Sequence, residues 1–81
     1  MNKISVKDLV IQTINDNLKL NISYDVLNTN IPDLEIDSLE FFQIIIDIED
    51  KLDIEFREAI YEINTINDLI NLVDETLKEK C

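Results

Sequence analysis

The chain of 81 residues contains no glycine and a single proline, Pro32. Tight hairpin turns draw on Gly, Asn-Gly or Pro because their central residues need a positive or a fixed φ, so the usual material for reversing strands is missing. No stretch alternates apolar with polar residues cleanly enough to read as a strand. An all-α fold is the expectation. Leu, Ile, Val and Phe fill 32 of the 81 positions, far too many for disorder. No apolar run approaches the roughly 18–20 residues of a membrane span. Residues 1–81 suit one small domain.

The apolar spacing divides that domain into helices. From Ser5 to about Leu20, Val6, Leu9, Val10, Ile14 and Leu18 recur at three- and four-residue steps, and Ser5 with Asp8 forms a start signal. Residues 21–36 are rich in Asn and Asp and hold Pro32, which disfavours helix at Asn30 and Ile31. They are predicted to form a long, structured loop whose Ile22, Val26, Leu27, Ile31 and Leu34 pack on the bundle. A second helix begins at Asp37 or Ser38 and runs to about Leu52, with Asp37 as N-cap and Glu40 as its capping-box partner. A short helical turn follows near Arg57 to Tyr61. The last helix starts at Thr65, has Asp68 three positions on, and carries Ile66, Leu69, Ile70, Val73 and Leu77 along one face. The sum is a small four-helix bundle with a long first loop and a short third helix.

Residue types exclude several chemistries. With no His, the chain has no Ser-His or Cys-His pair for nucleophilic catalysis and no imidazole for zinc. No loop has the acidic spacing and central Gly of a calcium hand, so no metal site is expected and a carboxylate-based cation sensor is a weak rival. One cysteine, Cys81, cannot close an internal disulfide, and the first residues carry no secretory signal, so a cytoplasmic location is expected. Cys81 itself, terminal and without a neighbouring base, reads as an end residue and not as a working thiol.

Charge gives a direction. Eighteen acids against seven bases make the net charge −11, which repels nucleic acid and anionic lipid and favours a basic protein surface as partner. The first 27 residues are neutral overall, so the entire excess lies in the remaining 54, and Asp37 to Glu55 alone holds seven acids against Lys51. Acids at such positions also serve simply to solvate an exposed face.

Two features sit on that acidic helix. At roughly 100° per residue, Phe41, Ile44, Ile45, Ile48 and Leu52 fall within one arc suited to a core. Leu39, Phe42 and Ile46 form a second apolar stripe, about 120–130° away, with Gln43, Glu49 and Asp50 beside it. Such a helix is either packed on two sides by its own chain or leaves one stripe for a partner, with apolar contacts for affinity and acids for choice of a basic partner. Ser38, at the helix start, is either a plain cap or a handle. Free amides and the helix dipole at that position stabilise a phosphodiester on its oxygen.

Asp37-Ser38-Leu39, opening the second helix, and the run Ile45-Ile46-Asp47-Ile48-Glu49-Asp50-Lys51-Leu52-Asp53-Ile54-Glu55-Phe56 resemble the acyl carrier proteins of the phosphopantetheine-binding family. Size, acidity, the long first loop, the short third helix and Thr65-Ile66-Asn67-Asp68-Leu69 at the start of the last helix extend the likeness over nearly the whole chain. The family often has Gly two residues before the Asp, where this chain has Glu35. The resemblance implies that Ser38 receives 4′-phosphopantetheine from coenzyme A through a phosphopantetheinyl transferase with magnesium, assisted by Asp37. It implies a recognition set of Leu39, Phe42, Ile46, Glu40, Asp47, Glu49 and Asp50. The implied protein is a monomeric carrier and no enzyme. It holds cargo as a thioester for acyl-loading, adenylating or condensing enzymes with basic docking surfaces, in fatty acid, polyketide or nonribosomal-type biosynthesis. The alternative is an unmodified acidic helical adaptor that binds a basic protein through the second helix.

Overall fold

A computed structural model describes residues 5–19 and 21–80. The described chain runs α1 (Val6–Leu18), α2 (Ser38–Leu52) and α3 (Ile66–Lys80), with a six-residue 3₁₀-helix, Arg57–Glu62, as the short third piece. Two briefer 3₁₀ turns, Tyr24–Val26 and Ile31–Leu34, give shape to the long first loop. The expected bundle is therefore present, and the described residues contain no strand, only an isolated bridge between Asn30 and Thr65. Cys81 lies outside the described residues.

Each helix begins where a short polar side chain replaces the missing acceptor of a first-turn amide. Ser5 Oγ accepts from the Asp8 N–H at 3.0 Å. Thr65 Oγ1 accepts from the Asp68 N–H at 3.1 Å, while Asp68 Oδ2 accepts from the N–H groups of Thr65 and Asn64. The ends are made without glycine. Lys19 and Asp53 close α1 and α2 in the left-handed region, at φ 54° and 56°, and each turns its amide back to the carbonyl four residues earlier.

Burial follows the apolar spacing. Val10 and Ile14 of α1, Ile44, Ile45 and Ile48 of α2, and Ile66, Leu69, Ile70 and Val73 of α3 meet in one core. α1 packs on both other helices. Phe41 and Leu52, placed in the core arc by the wheel, sit half-buried at its margin. Ile11 and Thr13 are also buried; the Thr13 hydroxyl donates to the Leu9 carbonyl at 2.7 Å, and among the described residues no buried side-chain polar atom is unpaired.

The long loop packs as expected, with Leu27 and Ile31 buried and Ile22, Val26 and Leu34 partly so. It departs from expectation at Ile31, which opens a 3₁₀ turn. Pro32 stands in the first turn of that element, where its missing N–H and fixed φ cost nothing. The loop is fastened to the start of α3 from both sides. The Ile31 N–H donates to the Asn64 carbonyl at 2.8 Å, and the Asn67 N–H donates to the Leu27 carbonyl at 2.9 Å.

Candidate functional site

The mouth of α2 is set by a reciprocal capping box. Asp37 Oδ1 accepts from the Glu40 N–H at 2.8 Å and Glu40 Oε1 accepts from the Asp37 N–H at 3.2 Å. Phe41 then makes the first helical bond, back to the Asp37 carbonyl. Ser38, the first helical residue, is exposed, and the cap is made by Asp37, so the serine is not occupied as the N-cap. The amides of Ser38 and Leu39 meet no acceptor among the described residues. They leave the positive end of the α2 dipole open beside the Ser38 hydroxyl. This arrangement fits a phosphodiester: an exposed serine and two amides without acceptors among the described residues.

The backbone leading to that serine is held by Glu35, which ends the Ile31–Leu34 turn at φ 63°, ψ 31°. That is the conformation glycine adopts without penalty. Glu35 holds the left-handed conformation that bends the chain into the Ile36–Asp37 approach to α2.

Beside Ser38 opens a small cleft of about 130 Å³, lined by Ile31, Pro32 and Ile36 from the loop, Phe41 from α2, and Ile63 before α3. Its walls are apolar apart from Asp37 and Ser38 at the rim.

The second stripe of α2 faces solvent. Leu39 is 71 % exposed, Ile46 63 % and Phe42 39 %, which excludes packing of α2 on both sides by its own chain. Phe42 leans on the half-buried Phe41 ring, centroids 6.2 Å apart, which limits its freedom. The acids around the stripe divide into two kinds. Asp50 is exposed, and Glu40 is half-buried in the capping box. Asp47 and Glu49 are tied inward. Asp47 Oδ2 accepts from Asn17 Nδ2 of α1 at 3.0 Å and pairs with Lys51 Nζ at 3.4 Å, and Lys51 in turn reaches Thr13 Oγ1 at 3.3 Å. Glu49 Oε2 accepts from the Phe56 N–H at 3.0 Å, holding the segment after α2. Sequence spacing placed Glu49 beside the stripe and the resemblance added Asp47; their partners outside α2, Phe56 and Asn17, lie 7 and 30 residues away along the chain. Among the described residues no group of His, Cys, Asp and Glu side chains is placed to hold a metal ion, and no helix is long and apolar enough to cross a membrane.

Comparison with known proteins gives the same reading. The family described as "Phosphopantetheine attachment site" matches residues 8–73. An acyl carrier protein homolog of Ureaplasma parvum is 34% identical over 76 residues, covering 93% of this chain and 97% of its own length. The acyl carrier protein of Streptococcus pneumoniae is 36% identical over 74 residues, 91% and 99% of the two chains. That of Streptococcus pyogenes is 44% identical over 52 residues, 64% and 69%. No solved structure is a significant match. The likeness spans the capped helix, its exposed stripe and the loop before it, and it decides against an unmodified adaptor. The chain belongs to the acyl carrier proteins of the phosphopantetheine attachment family, which are carriers and not enzymes and bear a covalent 4′-phosphopantetheine.

Proposed function

We propose that Ser38 bears the 4′-phosphopantetheine and that the protein carries an acyl group to partner enzymes of fatty acid, polyketide or nonribosomal-type biosynthesis. The observation that carries this reading is the exposed Ser38 hydroxyl at the mouth of α2, with Asp37 taking over the cap and two amides left free. When attached, the arm supplies a thiol that holds cargo as a thioester. The chain's own residues do the rest. In the transfer the Ser38 oxygen would form the ester bond to the pantetheine-side phosphorus of coenzyme A as the pyrophosphate bond breaks, with adenosine 3′,5′-bisphosphate leaving and the serine proton released, while Asp37 assists and fixes the first turn of α2. The free amides of Ser38 and Leu39 steady the phosphodiester charge.

Leu39, Phe42 and Ile46 supply the apolar contact with a transferase or a loading, adenylating or condensing enzyme. Asp50 and Glu40 select basic surfaces, and Asp47 and Glu49 add to the field while holding α2 in place. The cleft beside Ser38 holds on the order of four water-sized volumes, at about 30 Å³ each, which suits the first carbons of a short chain. The carrier acts as a monomer in the cytoplasm, a reading supported by its content of one cysteine.

The test is incubation with coenzyme A, magnesium and a broad-specificity phosphopantetheinyl transferase. Intact mass should show one added arm on the wild-type chain and none on Ser38→Ala. A folded wild-type chain that gains no arm overturns the assignment.

A further inference from the structure

A second concavity lies far from Ser38. It is a groove of about 690 Å³ between the segment that follows α2 and the outer side of α3. Ser38 opens α2 and the groove begins at Asp53, just past its end, so a 15-residue helix, about 22 Å long, separates the two. The groove shares no residue with the cleft beside Ser38.

A small apolar base lies within a lining that is polar for the larger part and acidic at its rim. Ile54 and Phe56 are buried at the base, and Leu72 of α3 is half-buried beside them. Glu55 stands on one wall, and Glu75 and Glu79 on the other. All three of these glutamates are exposed, and no ion pair engages any of them among the described residues. Arg57 supplies the one positive group in the lining. Glu75 and Glu79 stand one helical turn apart on α3, about 6 Å, so a helix laid alongside meets them with cations spaced four residues apart. Leu72 lies one turn before Glu75 on the same face of α3, so an apolar side chain one turn beyond the cation that meets Glu75 would face Leu72. This combination of a small apolar base and unpaired carboxylates at a fixed spacing selects for charge and for shape together.

We propose that this groove is a second docking site, for an amphipathic helical segment of a partner protein that carries Lys or Arg at i and i+4 with a Leu-type anchor one turn away on the same face. It goes beyond the carrier role, because α2 and Ser38 stay uncovered while the groove is filled. A partner holding the carrier by this end keeps the arm free to visit enzymes that grip α2, and so raises the carrier's local concentration near them.

The probe is a synthetic helical peptide of 16 residues with Leu anchors and Lys at i and i+4, titrated into the ¹⁵N-labelled full chain carrying its arm. The expected result is saturable binding, with amide shifts centred on Ala59, Leu72 and Thr76. The double variant Glu75→Lys/Glu79→Lys should weaken binding at least tenfold, whereas Asp16→Lys/Glu62→Lys, of equal charge change but outside the lining, should weaken it less than threefold. Shifts centred on Leu39, Phe42 and Ile46 overturn the proposal. So does a diffuse response without saturation, or an equal loss in both double variants. The same titration on Ser38→Ala separates the two proposals: peptide binding is expected to survive there whether or not Ser38 is the attachment point.

Discussion

Glu35 shows how a single residue carries both a likeness and a departure. A left-handed φ of 63° at a non-glycine residue costs about 1–2 kcal/mol, because Cβ crowds the following carbonyl. Glycine relieves that crowding but adds freedom to the unfolded chain, worth about 0.4–1 kcal/mol in the other direction. Glu35→Gly is therefore expected to stabilise the fold by roughly 0.5–1 kcal/mol, seen as a rise of about 2–8 °C in a thermal melt. Glu35→Val, whose branched Cβ tolerates this region worst, should lower the melting temperature instead. An unchanged or lower melting temperature for the glycine variant contradicts the strain account. The position was legible in sequence as a missing glycine, but the retained sign of φ was not. That sign is enforced by contacts of the flanking residues, Ile31 and Ile36 in the core and the Glu35 N–H donating to Pro32 O, which no local pattern displays.

At the scale of an element, α2 is a helix with two jobs. Its capping box and its two apolar stripes were readable from spacing because both depend on neighbours within a turn or two. The inward ties of Asp47 and Glu49 were not, since Asn17 and Phe56 approach them only after the chain has folded. Removing the box with Asp37→Ala should cost about 1 kcal/mol, read from urea unfolding with an unchanged m-value. Phe42→Asp tests the exposed stripe. Because Phe42 is outside the core, the variant should unfold within about 1 kcal/mol of wild type while its rate of arm transfer by the transferase falls at least tenfold. A variant that takes up the arm as fast as wild type would remove the stripe from the docking surface.

For the whole molecule, smallness and charge dominate. A chain of this length has roughly 4–12 kcal/mol of stability, and Leu69, fully buried where α3 meets the other helices, loses about 2–5 kcal/mol on truncation. Leu69→Ala should therefore lower the melting temperature by at least about 8 °C, read by circular dichroism. The net charge of −11, confined to residues 28–81, also opposes compaction. Raising salt from about 0.05 M to about 0.5 M shortens the screening length to a few ångströms, and the melting temperature should rise by several degrees as it does so. Binding to a basic partner should weaken over the same range.

The fastening of the first loop to the start of α3 bears on how cargo is housed. Ile31, Pro32 and Ile36 on one wall and Ile63 on the other are joined through the Ile31–Asn64 and Asn67–Leu27 hydrogen bonds, so they travel as one jaw. Phe41 rides on the opposing jaw, α2. On the proposed carrier reading, a chain that outgrows the cleft would displace α2 relative to this frame, and with it the exposed stripe of Leu39, Phe42 and Ile46.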